Sequence, residues 1–347
     1  MFEQLASALG LPSGPPELSP LQRVEITLQG GIPDRPPVCF WHHFSPQGSG
    51  RKLARATSDF FVRDYDLDIV KVMPDLPYPF PHKSIQSIDD WRLIEPIDPT
   101  RSPWLQQQVE CVNALMEELV LLAPVVVTQF SPLTEALHLA QSPEQFMEHL
   151  QQNPAAVHRA LSTISENLRT ASEAVIKAGA DGIFFALQGA TTEVMPEAKY
   201  REVGLPYDLQ ALRGAQNGWL NILHLHGERD LMFDLALTYP VQALNWSDRI
   251  AGPSLREARS LTSLVLMGGW NEQGAIATGD DAGILAEALD AYDQTNGVRF
   301  ILSPGCSIPD DATQAAMDAA RVAADQLAMD VVSEADFYDG DEDEDEE

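Results

Sequence analysis

The chain has 347 residues, of which 52 are acidic and 22 basic, for a formal charge of −30 at pH 7. A surplus of that size repels a nucleic-acid backbone and an anionic membrane surface, and it excludes both as partners. Hydrophobic residues make up 44%, enough for one large core and too many for a disordered chain, and no run reaches the roughly 18 apolar residues of a membrane span.

At the start of the chain, Met1-Phe2-Glu3-Gln4 lacks the basic residues and apolar stretch of a signal peptide, which predicts a cytoplasmic protein. Residues 1–30 read as a helical preface, with apolar positions Leu5, Leu9, Leu21, Val24 and Leu28, that covers one end of the domain following it. From 31 to 332 short strand-like runs alternate with helical patterns. Strand Val38–Phe44 precedes helix Lys52–Tyr65, and strand Asp68–Met73 leads through the Pro-rich, aromatic loop 74–81 to helix Trp104–Leu121. Strand Pro124–Phe130 is followed by a double helical segment, Pro143–Lys177; strand Gly182–Leu187 by helix Tyr200–Gly218; and strand Asn221–His226 by helix Glu228–Thr238. Strands Ala243–Trp246, Ser263–Gly268 and Arg299–Ser303 alternate with helices Leu255–Ser260, Ala282–Gln294 and Asp311–Met329. Residues 333–347 read as a disordered acidic tail, whose last nine positions hold eight carboxylates and one glycine.

Strands apolar along their whole length predict a parallel sheet covered on both faces, and eight such units predict a closed (β/α)₈ TIM barrel of the α/β class. An open doubly wound sheet is the weaker reading, because no Gly-x-Gly-x-x-Gly turn follows the first strand. Barrels of this kind carry their chemistry at the C-terminal ends of the strands. There, in His224-Leu225-His226, residues two apart on a strand face the same side, so both imidazoles enter the barrel mouth as a metal half-site or as a pair of hydrogen-bond donors. Cys306, in the turn Ser303-Pro304-Gly305-Cys306 after the last strand, lies at the same end. Its thiolate completes a His₂Cys set with an open fourth position, the pattern of catalytic zinc; a thiol that merely packs is the other reading. Cys39 and Cys111 read as core, and three cysteines are too few for a disulfide framework.

His42 and His43 are adjacent, so one of them faces inward as acid, base or substrate donor. Asp75 after Pro74 is a functional carboxylate or a loop cap. Gln188, Asn245 and Asp248 stand after their strands as candidates for binding a small-molecule substrate, with Trp246 as a wall.

The runs Asp68–Asp75, Gly179–Gly182, His224–Gly227 and Gly305–Asp310 together resemble the uroporphyrinogen decarboxylase superfamily, over residues 20 to 330. The resemblance implies a (β/α)₈ barrel and a homodimer, with one of two activities. One branch decarboxylates uroporphyrinogen-like tetrapyrroles without a cofactor, using arginines after the first strand and an aspartate after the second; here Asp75 matches the aspartate, whereas Trp41-His42-His43-Phe44-Ser45 carries no arginine. The other branch moves a methyl group between a corrinoid held by a partner protein and a thiol, using zinc bound by a His-x-Cys after strand five and a cysteine after strand eight. This chain matches at His224 and Cys306 and has His226 where that pattern has cysteine. The second activity is the expected one, with His224, His226 and Cys306 on Zn²⁺ and with Asp75 and His42 or His43 orienting substrate.

Overall fold

A computed structural model describes residues 17–44, 50–119 and 122–338. The β-branched and aromatic runs become seven parallel strands: β1 (Val70–Val72), β2 (Val125–Phe130), β3 (Gly182–Leu187), β4 (Ile222–Leu225), β5 (Ala243–Trp246), β6 (Val265–Trp270) and β7 (Phe300–Pro304), paired in chain order. Helices connect each strand to the next, and β3 and β6 are buried along their entire length, as strands covered on both faces must be.

The expected first strand, Val38–Phe44, contracts to a seam between the two edges of this sheet. Val38 forms a parallel bridge with Leu302 of β7, the Cys39 N–H donates to the Leu302 carbonyl at 3.0 Å, and the Asp68 N–H, just before β1, donates to the Val38 carbonyl at 2.9 Å. Pro36 and Pro37 have no N–H to give, so pairing cannot extend backwards. Beyond Cys39 the chain bends over the mouth, where the Trp41 carbonyl accepts from the Ile308 N–H at 2.9 Å. The apolar run Val38-Cys39-Phe40-Trp41 reads as strand because all four side chains are buried, not because all four are paired. The seam closes the sheet into the expected barrel.

Other boundaries shift for local reasons. Helix Pro20–Gln29 is the described part of the preface; its Ser19–Gln22 capping box starts it and Gly30, at φ 84°, stops it. It does cover one end of the barrel, since its Arg23 reaches Asp68 at the foot of β1 at 2.6 Å. Residues 1–16 of the preface and 339–347 of the tail lie outside the described residues, and the expected tail boundary at 332 falls inside the last helix, Gln314–Tyr338. The expected helix Tyr200–Gly218 breaks at Gly204 ahead of Pro206, and Glu228–Thr238 shrinks to the single turn Phe233–Ala236. An unexpected helix, Pro132–Leu139, follows β2 directly, capped by the Ser131 hydroxyl. Among the described residues no helix is long and apolar enough to cross a membrane.

Candidate metal centre

Register aligns His224 of β4 with Asn245 of β5, and the His224 Nδ1 lies 2.7 Å from the Asn245 Oδ1. The orientation of Asn245 is fixed independently, because its amide nitrogen donates to the Met267 carbonyl at 2.9 Å and the Pro304 carbonyl at 3.1 Å. Its oxygen therefore accepts from Nδ1–H, which leaves the His224 Nε2 with a bare lone pair in the barrel mouth. His226, just past β4, is held by its own N–H on the Leu187 carbonyl at 3.0 Å. Cys306 arrives from β7 through a turn that only glycine permits: a Cβ at position 305 would sit 2.3 Å from the Cα of Ser247.

The Cys306 Sγ lies 3.9 Å from the His224 Nε2 and 3.5 Å from the His226 Nδ1, and the three donor atoms all fall within 4.8 Å of one another. Tetrahedral zinc needs N and S ligands roughly 3.3–3.6 Å apart, so the two thiol–imidazole distances match to within a few tenths of an ångström, while the two imidazole nitrogens, within 4.8 Å of each other, draw together by up to about 1.5 Å to complete the set. Protonation also suits it. Burial works to raise the Cys306 thiol, but the His224 imidazole 3.9 Å away outweighs it and the thiol lies below its usual range. Burial lowers His226 and keeps it neutral, against the opposing fields of Glu272 and Glu228. Glu272 is 5% exposed, accepts from the Ser247 hydroxyl through Oε1, and has a buried Oε2 with no partner among the described residues. The field of this carboxylate acts on both His226 and Cys306.

One flank of the mouth carries the other candidates. Asp75, at φ 47° in a left-handed conformation, accepts from the His43 Nδ1–H at 2.9 Å, and the His43 Nε2 lies 3.4 Å from the Ser307 hydroxyl, next to Cys306. The Asp75 hydrogen bond raises the His43 pKa. His42 turns the other way: its ring packs 5.1 Å from Phe44 and 4.8 Å from Phe60, and burial lowers its pKa.

The three residues expected to bind substrate all have protein partners. Asn245 has its amide wholly engaged by His224 and two carbonyls and orients the imidazole instead. Asp248 is buried and braces β6, accepting from the Gly269 N–H at 3.0 Å, with burial pushing its pKa up to about 7. Gln188 pairs with His138 at 2.5 Å, on the helix after β2.

Two residues of the site carried less notice in the sequence. Lys71 of β1 is 2% exposed, and its ammonium lies 4.3 Å from the centre of the Phe184 ring and 4.8 Å from that of Trp41. The Phe184 ring in turn stacks on His224 at 5.3 Å. Burial pushes the Lys71 pKa down to about 8 against the fields of Cys39, Cys306 and Asp75, and no carboxylate pairs with it among the described residues. The signal was a lone charge inside the apolar run Ile69-Val-Lys-Val72; Glu272 had only its place after a strand.

The protein is a parallel α/β barrel with two histidines and a cysteine, a donor set of the kind that holds metal ions, gathered at the C-terminal ends of its strands. The model of the uroporphyrinogen decarboxylase (URO-D) family matches residues 54–327, and the chain belongs to that family. The expected family and fold are thereby borne out. Among solved structures, a methyltransferase from Methanosarcina mazei superposes with a TM-score of 0.71 at 18% identity, covering 90% of this chain and 99% of that one. A B12-independent methionine synthase from Shewanella sp. W3-18-1 gives 0.47 at 11% identity, over 66% of this chain and 67% of its own. A putative vitamin-B12 independent methionine synthase from Listeria monocytogenes gives 0.48 at 14%, over 69% and 72%. No curated protein sequence matches the chain.

Proposed function

We propose that this barrel is a zinc-dependent methyltransferase that moves a methyl group between a corrinoid carried by a partner protein and a small-molecule thiol. The observation that carries the reading is the convergence of His224, His226 and Cys306, from two distant strands, on one point with their donor atoms within 4.8 Å. Zinc, which His224, His226 and Cys306 would hold, would supply Lewis acidity that lowers the pKa of a substrate thiol. Asn245 fixes the His224 tautomer, and Glu272 contributes the negative charge that His226 removes by standing where the family pattern has cysteine. The His43 Nε2, with its opposite nitrogen tied to Asp75, is the atom that takes the thiol proton. The Lys71 ammonium, behind Phe184 and Trp41, adds a positive field that favours thiolate, and those rings keep water out of the barrel interior. The fold likeness to a protein described as a methyltransferase supports the same direction.

The decarboxylase reading rests on Asp75, and the arrangement of charges weakens it. Asp75 is engaged by His43, while Arg51 and Arg55, the arginines that follow the run Val38–Phe44, face Glu110, Glu117 and Asp59 on the outer helices.

Chelator-treated protein is to be titrated with Zn²⁺ beside His224→Ala and Cys306→Ser. The expected result is one tight equivalent per chain that both variants lose, followed by thiol methylation with methylcobalamin as donor. A wild type that takes up no tight zinc overturns the reading.

A further inference from the structure

A cavity of about 590 Å³ opens beside the His43–Asp75 pair, between the Pro-rich loop and the helix after β2, with Tyr78, Phe80 and Phe130 among its walls. At its back lies a recess of about 30 Å³ that shares Asp75, Leu76, Phe130 and Glu135 with the cavity and adds Thr128. Such a volume holds one or two groups the size of a water molecule or an ammonium head.

Two residues of its lining, Glu135 and Thr128, carry side-chain oxygens without a partner among the described residues. Glu135 is 5% exposed, and among the described residues its carboxyl takes part in no hydrogen bond or ion pair. The Thr128 hydroxyl is buried without a partner as well. Gln129, between them in the lining, is spoken for: its amide donates to the Leu168 carbonyl at 2.8 Å and accepts from the Ser172 hydroxyl. A carboxyl and a hydroxyl without partners, on two residues that line one small hollow, are costly unless a donor reaches them.

We propose that this recess is a binding subsite for a primary ammonium group, with the Glu135 carboxylate as its counter-charge and the Thr128 oxygen as a second acceptor. An ammonium has three donors and no acceptor, which matches two bare oxygens, and the aromatic faces of the outer cavity suit a cation in passage. Without a ligand, burial pushes the Glu135 pKa up to about 8; an arriving positive charge restores the carboxylate. The ligand class is an alkylamine whose far end reaches His43 and Ser307 at the mouth. Nothing in this depends on a metal ion, so the subsite stands or falls apart from the methyltransferase reading.

The test is calorimetric titration of chelator-treated, full-length protein with n-butylammonium chloride and, separately, with n-butanol, in wild type, Glu135→Gln and Thr128→Val. The subsite predicts saturable binding of butylammonium at least roughly tenfold tighter than butanol, a preference that Glu135→Gln abolishes and Thr128→Val weakens several-fold. Equal affinity for the two probes, no binding of butylammonium, or butylammonium binding unchanged in Glu135→Gln overturns it. Circular dichroism establishes that each variant is folded; should Glu135→Gln fail to fold, Thr128→Val decides, and unchanged affinity there overturns the proposal.

Discussion

The two ends of the barrel treat buried charge in opposite ways. At the N-terminal end, Asp68 is fully buried and completely answered: it accepts from Arg23 at 2.6 Å, from Arg35 at 2.5 Å and from the Val38 N–H at 2.8 Å, while Arg23 also grips Asp34. At the C-terminal end, among the described residues, Lys71 has no carboxylate, Glu135 has no donor, and Glu272 keeps a bare oxygen. One end is closed in on itself and the other is held ready for something that is not protein. This is the division expected of a barrel whose lower face is built for stability and whose upper face is built for chemistry.

The comparison can be broken most sharply from below. Asp68→Ala takes away the carboxylate shared by two buried guanidinium groups, leaving Arg23 with the carboxylate of Asp34 alone and Arg35 with that of Asp325 alone, and denaturant unfolding is expected to show a loss of about 3 kcal/mol with zinc affinity little changed. Cys306→Ser and His224→Ala should do the reverse, costing the apo protein far less in the same assay while zinc binding drops by at least about 100-fold. Asn245→Ala falls between: a loss of roughly 10–100-fold in zinc affinity by competition with a metal indicator, because His224 is no longer held in one tautomer.

Smaller effects appear as pH dependence and have opposite signs. Glu135 rises from about 4.5 to about 8 on folding, so the folded state binds the extra proton, and stability falls as pH climbs through that window. Lys71 drops from about 10.5 to about 8, so the unfolded state binds the extra proton, and stability recovers from pH 8 to 10.5. Each contributes a slope of at most about 1.4 kcal/mol per pH unit. Glu135→Gln should flatten the descending limb and Lys71→Met the ascending one, measured as Tm against pH; limbs unchanged in the variants would place the titrations elsewhere.

The parts of this architecture that were legible in the chain are those governed by local pattern. Alternating apolar strands and helices announced the barrel, and the two-residue spacing of His224 and His226 announced a shared face. Cys306 was legible because a Pro-Gly turn after the last strand fixes where it must lie. The first strand was over-read because burial and pairing leave the same apolar signature: Phe40 and Trp41 are packed without being in the sheet. Asn245 was misplaced because its cross-strand neighbour depends on register, which composition does not carry. Glu135 looks like an ordinary acidic residue in the first turn of a helix, and its isolation comes from the Pro-rich loop and β2 folding over it.

The seam at Val38 has a consequence for the order in which the molecule is made. Asp68 gathers the N-terminal helix, the closing segment and β1, yet that segment also needs Leu302, and Arg35 reaches onward to Asp325 at 3.2 Å in the last helix. The contacts that lock the barrel therefore join residues far apart in the sequence, and a ribosome releases Leu302 and Asp325 only after the six strands before them have emerged. Until then β1 and β7 are bare edges, exposed to pairing with other chains. Closure is thus a late event in biogenesis, and the nascent barrel depends on whatever shields those edges while the final helix is being synthesised.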